Sequence, residues 1–262
     1  METTKLGSVT VTRFLLGGNP FSGFSHQGHD RDREMVHYYT TARIKQVLFS
    51  AEKLGITGFV GRADNHVVRL MMEYWDEGGK LTWLGQSVGP IPECASLVAG
   101  HGGKALHIHG GVMDNLVAQG KFDEIKRGID AIRAAGLSAG IAGHNARVFE
   151  WAATNVDVDY YMCCHYNPTI RDVNPDHVHG AEEKYREEDR KAMVAVAGTL
   201  TKPVIHYKIL AAGRNDPGEA FAFCGKIMHS SGLVCVGIYA KDDPGMLGRD
   251  VGLFEKHCAI KK

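Results

Sequence analysis

The sequence has no excess charge of either sign, because 30 Lys and Arg residues balance 30 Asp and Glu residues. Without a basic surface field, we expect neither a nucleic-acid partner nor an anionic membrane partner. No apolar run approaches the roughly 18 residues that a membrane-spanning helix needs. The segment Met1–Gly17 also lacks the basic region, the apolar region and the cleavage site of a secretory signal.

The spacings typical of paired cysteines are absent too. The six cysteines show neither C-x-x-C spacing nor the pattern of a disulfide framework. We therefore expect reduced thiols and a cytoplasmic protein. The chain contains no low-complexity stretch and no linker, so a single domain over residues 1–262 is predicted.

Glycine and histidine are the residues present in excess, with 32 and 14 copies in 262 residues. Glycine is suited to the tight turns that join many short strands and helices. Histidine can bind metals and exchange protons near neutral pH. The composition therefore indicates an ordinary folded chain in which a metal site or an acid–base site is worth seeking.

Eight short apolar or β-branched runs alternate along the chain with segments of helical periodicity. The candidate strands are Val11–Gly18, Gly55–Gly61, Leu81–Val88, Lys104–Gly110, Ser138–His144, Val158–His165, Pro203–Leu210 and Gly232–Tyr239. Because each parallel strand needs a crossover, eight such units predict an α/β fold, a single (β/α)8 TIM barrel. An open doubly wound sheet is the runner-up, but no G-x-G-x-x-G fingerprint follows the first strand.

Histidines lie on several of these candidate strands, and the carboxyl ends of barrel strands are where catalytic groups gather. The five are His107, His109, His144, His165 and His206. Histidine is not a favoured strand residue, so its presence on four strands points to a shared site. Alternate residues of a strand share a face, which predicts that His206 and Lys208 point the same way.

Imidazoles that converge from several strands can hold Zn²⁺, Mn²⁺ or Fe²⁺ and leave positions open for a substrate. The predicted ligands of such a divalent metal are His109, His144, His165 and His206. The alternative is that these histidines act as neutral hydrogen-bond partners and acid–base groups.

Catalysis and substrate binding are assigned to other polar residues near the strand ends as well. The predicted catalytic residues are His109, Lys208, Asp64 and His66. The predicted substrate contacts are Asn19, Phe21, His26, Arg62, Asn145, Asn167 and Tyr239. Lys208 can polarise a substrate oxygen, clamp an anion, pair with Asp64 or form a Schiff base. Two loop-like segments, 19–38 and 167–182, follow predicted strands and are expected over the barrel mouth.

A series of short motifs runs through most of the predicted barrel. They are Leu16-Gly-Gly-Asn19, Ala51-Glu-Lys-Leu-Gly-Ile56, Ala63-Asp64, Leu106-His-Ile-His109, Leu116-Val-Ala-Gln-Gly-Lys121, Gly140-Ile-Ala-Gly-His-Asn145, Tyr166-Asn-Pro168, Ile209-Leu-Ala-Ala-Gly213 and Val236-Gly-Ile-Tyr239. In order and spacing they resemble the aldo-keto reductase superfamily. The resemblance implies a (β/α)8 barrel that reduces carbonyls with NAD(P)H, using an Asp, Tyr, Lys and His tetrad.

Only the histidine of that tetrad carries over, to His109. The aspartate position falls at Val60 or Gly61, the tyrosine position falls near His66, and the third strand ends at Gln86 with no lysine. The resemblance therefore extends to the scaffold more than to the hydride-transfer machinery.

Two enzyme functions follow from these observations. The first is a metal-assisted or histidine-based isomerase, epimerase, lyase or hydrolase that acts on a small carbohydrate-like or carbonyl substrate. The alternative is an NAD(P)H-dependent oxidoreductase in which His66 replaces the tyrosine. A small-molecule substrate is the expected partner in both. The apolar segment Met71-Met72 to Tyr74-Trp75 can pack on the barrel or bury a second copy, which leaves a homo-oligomer open.

Overall fold

The computed structural model describes residues 1–177 and 182–260 and contains ten strands within them. The strands are β1 (Thr3–Leu6), β2 (Val9–Thr12), β3 (Phe14–Gly17), β4 (Gly58–Arg62), β5 (Thr82–Gln86), β6 (Ala105–Ile108), β7 (Ser138–Gly143), β8 (Tyr160–Cys164), β9 (Val204–Tyr207) and β10 (Leu233–Val236). Strands β3 to β10 are parallel, pair in chain order and close because β10 pairs with β3. The predicted (β/α)8 barrel is confirmed.

Helices connect the barrel strands and cover the outside of the barrel. They are α1 (His29–Tyr38), α2 (Thr41–Lys53), α3 (Asn65–Asp76), α4 (Ile91–Gly100), α5 (Gly110–Ala118), α6 (Phe122–Ala134), α7 (Ala146–Asn155), α8 (Glu187–Ala197), α9 (Pro217–Ile227) and α10 (Met246–Cys258). Two short 3-10 turns, Asn19–Ser22 and Ala211–Gly213, lie in loops at the carboxyl ends of β3 and β9.

Helix α6 shows how local sequence sets these elements. Ile125, Ile129 and Ile132 recur at helical spacing and are all buried against the barrel. Burial of each such side chain contributes about 1.5–3 kcal/mol to the hydrophobic stabilisation. The chain leaves the helix at Gly136, whose φ of 78° is a conformation that favours glycine.

Apolar side chains fill the inside of the barrel below the mouth. On neighbouring strands Val60 is level with Leu84, and Leu84 is level with Ala105. These residues belong to one buried cluster inside the barrel, together with Met162 and Ile205. Because alternate strand residues face opposite sides, the residues between them pack outward against the helices.

An antiparallel hairpin of β1 and β2 closes the amino-terminal end of the barrel. Leu6, Val9 and Val11 are buried in the same cluster as the inward-facing strand residues. The candidate strand Val11–Gly18 is therefore corrected, because its first residues belong to this hairpin and the barrel strand begins at Phe14.

Buried Arg13 joins the hairpin to the end of the chain. Its Nε donates to the carbonyl of Gly232 over 2.8 Å, and its Nη1 donates to the carbonyl of Cys258 over 3.0 Å. Nη1 also pairs with Glu2 at 2.8 Å. The guanidinium thus links Glu2 and Gly232, which directly precede β1 and β10, to the last residue of α10 at the closed end of the barrel.

The apolar segment on α3 packs mainly on the barrel. Met71 and Tyr74 are fully buried, and the Trp75 indole donates to the carbonyl of Leu81 over 3.0 Å. Met72 alone of the four keeps a large exposed fraction, 42%. No helix among the described residues is both long enough and apolar enough to cross a membrane.

Candidate functional site

The carboxyl ends of the barrel strands surround two adjoining cavities. The first has a volume of about 270 Å³ and is lined by His107, His109 and His144, and we call it the histidine cavity. The second has a volume of about 440 Å³ and lies between β10, β3 and the loop after β9, and we call it the loop cavity. Residues lining both are Asn19, Phe24, His26, Arg62, Gln86, Met162, Tyr207 and Lys208. The two cavities therefore form one binding space.

His144, directly after β7, is held in the histidine cavity by Asp114 of α5. Asp114 Oδ2 lies 2.8 Å from His144 Nδ1, and Asp114 Oδ1 accepts hydrogen bonds of 3.0 Å from the backbone N–H groups of His144 and Asn145. The two side chains are only 6% and 4% exposed. Because an ionised carboxylate can only accept, His144 Nδ1 carries the proton and Nε2 keeps its lone pair.

Burial keeps the histidines of this cavity neutral. It lowers the pKa of His144, although the charge of Asp114 acts in the opposite direction. Burial also holds the pKa of His109 well below its usual value, and nearby His144 adds to this effect. The pKa of His107 falls to about 3 for the same reason. A neutral imidazole fixed by a carboxylate is the usual arrangement of a general base.

Lys208 reaches both cavities from the end of β9. Its φ of 54° lies in the left-handed region, so the strand ends there and its side-chain alternation is broken. Lys208 Nζ lies 2.9 Å from Nε2 and 3.3 Å from Nδ1 of His26. Since these distances are similar, the amine lies over the imidazole ring and not in line with either nitrogen. Burial lowers the pKa of Lys208.

A second polar group lies beside Lys208, in the loops above the barrel. His26 Nδ1 is 2.7 Å from Glu183 Oε1, and His177 Nδ1 is 3.9 Å from the same oxygen. Within residues 1–177 and 182–260, this is the one group of three His, Cys, Asp or Glu side chains with ligand atoms within 4.8 Å of one another. Two histidines and a carboxylate form a donor set that suits Zn²⁺ or Fe²⁺.

The charges in this second group are fixed by burial and hydrogen bonding. Burial lowers the pKa of His26 to about 3. Burial acts to raise the pKa of Glu183, but the hydrogen bond from His26 outweighs it and brings the pKa down to about 2. The Tyr185 hydroxyl donates a further hydrogen bond of 2.8 Å to Glu183. The group therefore combines a neutral imidazole with an ionised carboxylate at neutral pH.

Arg171 is a buried cation in the segment after β8. Its side chain is 4% exposed and lines the histidine cavity. Nη1 donates to the carbonyl of Pro175 over 2.8 Å, and the buried Nε has no hydrogen-bond partner among residues 1–177 and 182–260. The Asn115 amide donates to the carbonyl of Arg171 over 3.1 Å, which ties this segment to α5.

Half of the residues predicted for the site line the binding space. They are Asn19, His26, Arg62, His109, His144, Lys208 and Tyr239. Arg62 also pairs with Asp64 at 2.8 Å, and its guanidinium lies 5.0 Å from the centre of the Phe24 ring. The chemical roles assigned to these residues remain predictions.

The four predicted metal ligands do not come together. His109 and His144 line the histidine cavity, whereas His165 and His206 contact each other at 3.1 Å. The inward-facing neighbour of His206 is Ile205, so His206 points outward, and the His165 ring packs against Phe223 of α9. The expectation that His206 and Lys208 share a face is corrected, because the positive φ of Lys208 breaks the alternation.

Two predicted catalytic residues lie outside the cavities. Asp64 is the N-cap of α3, where its carboxylate accepts from the Val67 N–H over 3.0 Å while it pairs with Arg62. His66 is exposed on the first turn of α3 and lines neither cavity. The helix begins immediately after β4, so its first residues turn away from the barrel axis.

Three residues predicted to contact the substrate lie outside both cavities. Phe21 is buried in the core beside Tyr39, with ring centres 4.7 Å apart. Asn145 is the N-cap of α7 and accepts from the Arg147 N–H over 3.1 Å. Asn167 lines neither cavity, and its buried Oδ1 has no hydrogen-bond partner in the part of the chain that the structure describes. Part of the predicted loop 167–182, residues 178–181, lies outside the described residues.

Several residues of the site escape prediction from the sequence. They are Asp114, Arg171, His177, Glu183 and Tyr207. Asp114 lies within a helical pattern that predicts only a helix. Arg171 and His177 had one signal, because the segment 167–182 was expected over the barrel mouth, whereas Glu183 lies one residue beyond that segment and Tyr207 is on β9.

No protein-family model matches the sequence, and no curated protein matches it. Several solved structures do match. A protein from Pseudomonas aeruginosa, proposed to be an aldo-keto reductase, is 16% identical with a TM-score of 0.61, over 98% of this chain and 96% of that one. A truncated 3-deoxy-D-arabino-heptulosonate 7-phosphate synthase from Thermotoga maritima is 10% identical with a TM-score of 0.58, over 97% and 90%.

Tryptophan synthase subunit alpha from Legionella pneumophila is 10% identical with a TM-score of 0.53, over 94% of this chain and 91% of that one. At such identities the likeness establishes a fold and no reaction. A proposed aldo-keto reductase is thus among the structural neighbours of the chain, beside barrel proteins of other kinds, and the chain shares their (β/α)8 barrel fold.

Proposed function

We propose that the protein is a histidine-based lyase or isomerase that acts on a small carbonyl compound. The observation that carries the proposal is the buried His144–Asp114 pair, at 2.8 Å, in the same binding space as the Lys208 amine. The pair supplies a general base with a fixed tautomer, and the amine supplies positive charge for a substrate oxygen.

In this proposal each residue has one task. His144 Nε2 removes a proton either from the carbon next to the substrate carbonyl or from a hydroxyl on the carbon beyond it, and Asp114 stabilises the imidazolium that forms. Lys208 Nζ, which lines both cavities, interacts with the carbonyl oxygen as negative charge develops there. In isomerisation, an α-hydroxycarbonyl substrate loses the carbon-bound proton to give an enediolate, the proton returns to the former carbonyl carbon, and the hydroxyl proton moves to the former carbonyl oxygen. In the lyase reaction, loss of the β-hydroxyl proton breaks the bond between the α- and β-carbons and gives an aldehyde and an enolate, and the enolate carbon takes up the proton from the imidazolium.

Proton abstraction is testable before the natural substrate is known. Small hydroxyketones, ketoses, aldoses and 2-keto acids are incubated with the protein in D2O, and deuterium incorporation next to the carbonyl is followed by proton NMR. We expect exchange with at least one compound, and a loss of about 100-fold or more in His144→Asn. The matched control is His37→Gln, since His37 is exposed on α1. Exchange that is absent with all compounds, or unchanged in His144→Asn, contradicts the proposal.

A metal-assisted form of the same reaction is a second candidate, favoured by the group of His26, His177 and Glu183. These three side chains would hold a divalent ion such as Zn²⁺, Mn²⁺ or Fe²⁺ beside the Lys208 amine. A bound ion supplies Lewis-acid polarisation of a substrate oxygen. The site differs from the four histidines that the sequence suggested.

Elemental analysis and calorimetric titration of the purified protein with each metal test this candidate. We expect about one ion per chain, lost in His177→Ala and in Glu183→Gln. His144→Asn is the matched control, because His144 lies in the binding space but outside this group, and it should keep the metal. Protein that binds no ion, or that loses it equally in His144→Asn, contradicts a metal at this position.

The NAD(P)H-dependent alternative receives less support from the geometry. It needs His66 in the position of a proton donor, and His66 is exposed outside both cavities. A fluorescence titration with NADPH and NADH tests it directly, and binding with micromolar affinity would favour it over the histidine-based reaction.

A further inference from the structure

We propose that the histidine cavity contains an oxyanion subsite, formed by the Arg171 guanidinium and the amino terminus of α5, so that the substrate carries a carboxylate or phosphate group. The inference deepens the proposed function and rests on it for the reaction, but the subsite itself is argued from two independent features of the cavity. One is a buried arginine without a carboxylate partner, and the other is a helix terminus with free N–H groups.

Arg171 is the first feature. Its side chain is only 4% exposed to solvent, yet among the described residues it forms no ion pair. Within the described part of the chain the guanidinium makes one hydrogen bond, of 2.8 Å from Nη1 to the carbonyl of Pro175, and its buried Nε has no hydrogen-bond partner. A guanidinium has five donors in a planar fork, and a buried charge with most donors unused is unfavourable unless an anion completes it.

The amino terminus of α5 is the second feature. The first hydrogen bond of the helix runs from Met113 N–H to the carbonyl of His109, so the N–H groups of Gly110, Gly111 and Val112 have no acceptor in the helix. No other residue of the described chain accepts from them. Gly110 and Val112 line the histidine cavity. Free N–H groups at a helix amino terminus attract anions.

The two features meet at Gly111. A β-carbon on this residue would lie 3.1 Å from Arg171 Nη1 and 2.2 Å from the Pro175 carbonyl oxygen. The absence of a side chain therefore lets the guanidinium approach the first turn of the helix. A cation next to the positive end of a helix is repelled, and this repulsion becomes attraction when an oxyanion lies between them.

Nearby charges do not supply that anion from within the chain. Asp114 is occupied by His144 and by two backbone N–H groups. Asp176 also lines the cavity but is exposed and makes no ion pair with Arg171 among the described residues. A carboxylate or phosphate of a ligand would place two oxygens on the guanidinium fork and on the helix N–H groups.

Inorganic phosphate and acetate are the probes that test the subsite and separate the two anion classes. Each is titrated into the full-length protein at constant ionic strength, and amide shifts are followed by NMR. We expect saturable shifts of the Gly110, Gly111 and Val112 amides with a Kd in the millimolar range or below. The anion class that binds more tightly identifies the group on the substrate. Shifts that do not saturate, or that occur only elsewhere, overturn the proposal.

Variants complete the test. Arg171→Gln is expected to weaken binding of the preferred anion about tenfold or more, and Arg171→Lys is expected to restore only part of the affinity because lysine lacks the planar fork. Arg62→Gln is the matched control, since Arg62 lines the same cavity but is already paired with Asp64. An equal effect in Arg62→Gln shows general attraction of anions and contradicts a subsite.

The outcome of the anion titration can be distinguished from the outcome of the deuterium-exchange test of the proposed reaction. His144→Asn should leave binding of phosphate or acetate within about twofold, because the imidazole supplies no donor to the subsite and the variant keeps the backbone N–H that donates to Asp114 of α5. If anions bind but no deuterium exchange occurs, the proposed reaction is refuted and the proposed subsite is supported. If exchange occurs but no anion binds, the subsite is refuted and the reaction is supported. The NMR titration of the unmodified protein remains decisive if Arg171→Gln does not fold.

Discussion

Asp114 contacts both the side chain and the backbone of His144. Its Oδ2 lies 2.8 Å from the ring Nδ1, and its Oδ1 accepts a hydrogen bond of 3.0 Å from the backbone N–H. The carboxylate comes from α5 and the imidazole from the end of β7, so the contact fixes both the tautomer of His144 and the position of the helix against the barrel.

We expect Asp114→Asn to keep the fold but to lose control of the His144 tautomer. The asparagine amide can donate to Nδ1, which moves the imidazole proton to Nε2 and removes the base. Nitrogen NMR of the labelled imidazole should show the changed tautomer, and deuterium exchange should fall about 100-fold or more. An unchanged imidazole spectrum would mean that Asp114 does not set the tautomer.

Lys208→Met is expected to stabilise the protein while it abolishes activity. The Lys208 side chain is half-buried, and its amine has no carboxylate at ion-pair distance among the described residues, so its charge opposes folding. The gain in the free energy of unfolding should be about 1–2 kcal/mol in urea denaturation. Lys53→Met, at an exposed position of α2, is the control and should change stability by less than about 0.5 kcal/mol. A clear loss of stability in Lys208→Met would show that neighbouring groups compensate the positive charge of the Lys208 amine in the folded protein.

Gly111→Ala should destabilise the chain, because the new β-carbon would lie 2.2 Å from the Pro175 carbonyl oxygen. Backbone must move to relieve this contact, at a cost of about 1–3 kcal/mol. Gly100→Ala is a matched control on α4, where no atom lies within 4 Å of the added carbon. That control should be neutral or slightly stabilising in thermal unfolding.

The stability of the fold should decrease in acid because of His206. Burial lowers the pKa of His206 from 6.5 to about 4, so between these values the unfolded chain binds a proton that the folded chain does not. Stability is therefore full above pH 6.5 and falls toward pH 4, by about 1.4 kcal/mol per pH unit for this residue.

Urea denaturation at a series of pH values measures the slope of the free energy of unfolding against pH. His206→Gln should reduce it by the contribution of one proton, whereas His37→Gln at an exposed position should not change it. His165, which contacts His206 at 3.1 Å, titrates in the same direction because burial holds its pKa well below the usual value. If the slope is unchanged in His206→Gln, protonation of His206 is not a cause of the loss of stability in acid.

Arg13→Met should destabilise the closed end of the barrel by about 3 kcal/mol. The substitution leaves the carbonyls of Gly232 and Cys258 without their donor in a buried setting. Arg69→Met, at an exposed position of α3, serves as the control in the same thermal unfolding series. Equal effects of the two substitutions would show that the Arg13 contacts contribute nothing.

Strands were the most predictable part of the molecule, because buried parallel strands are continuous apolar runs bounded by turn residues. The prediction Ser138–His144 differs by one residue from the observed strand Ser138–Gly143. The amino-terminal hairpin was not predicted, because its run merges with that of the first barrel strand. Arg13 lies between them, and nothing local shows that the chain bends there.

The site was less predictable, since its geometry depends on contacts between distant segments. His109 and His144 follow from their places at the predicted carboxyl ends of strands, but the direction of Lys208 depends on a single φ of 54° that no pattern reveals. Asp114 reaches His144 across 30 positions of sequence, and Glu183 reaches His26 across 157. Residues that meet in this way have no signal in a single sequence.

The hairpin of β1 and β2 covers the amino-terminal end of the barrel, and apolar side chains fill the barrel below the mouth. In the proposed reaction, substrate and product therefore use the same entrance beneath the loops at the mouth. A product molecule that is still bound there excludes the next substrate molecule. We expect product inhibition that is competitive with the substrate.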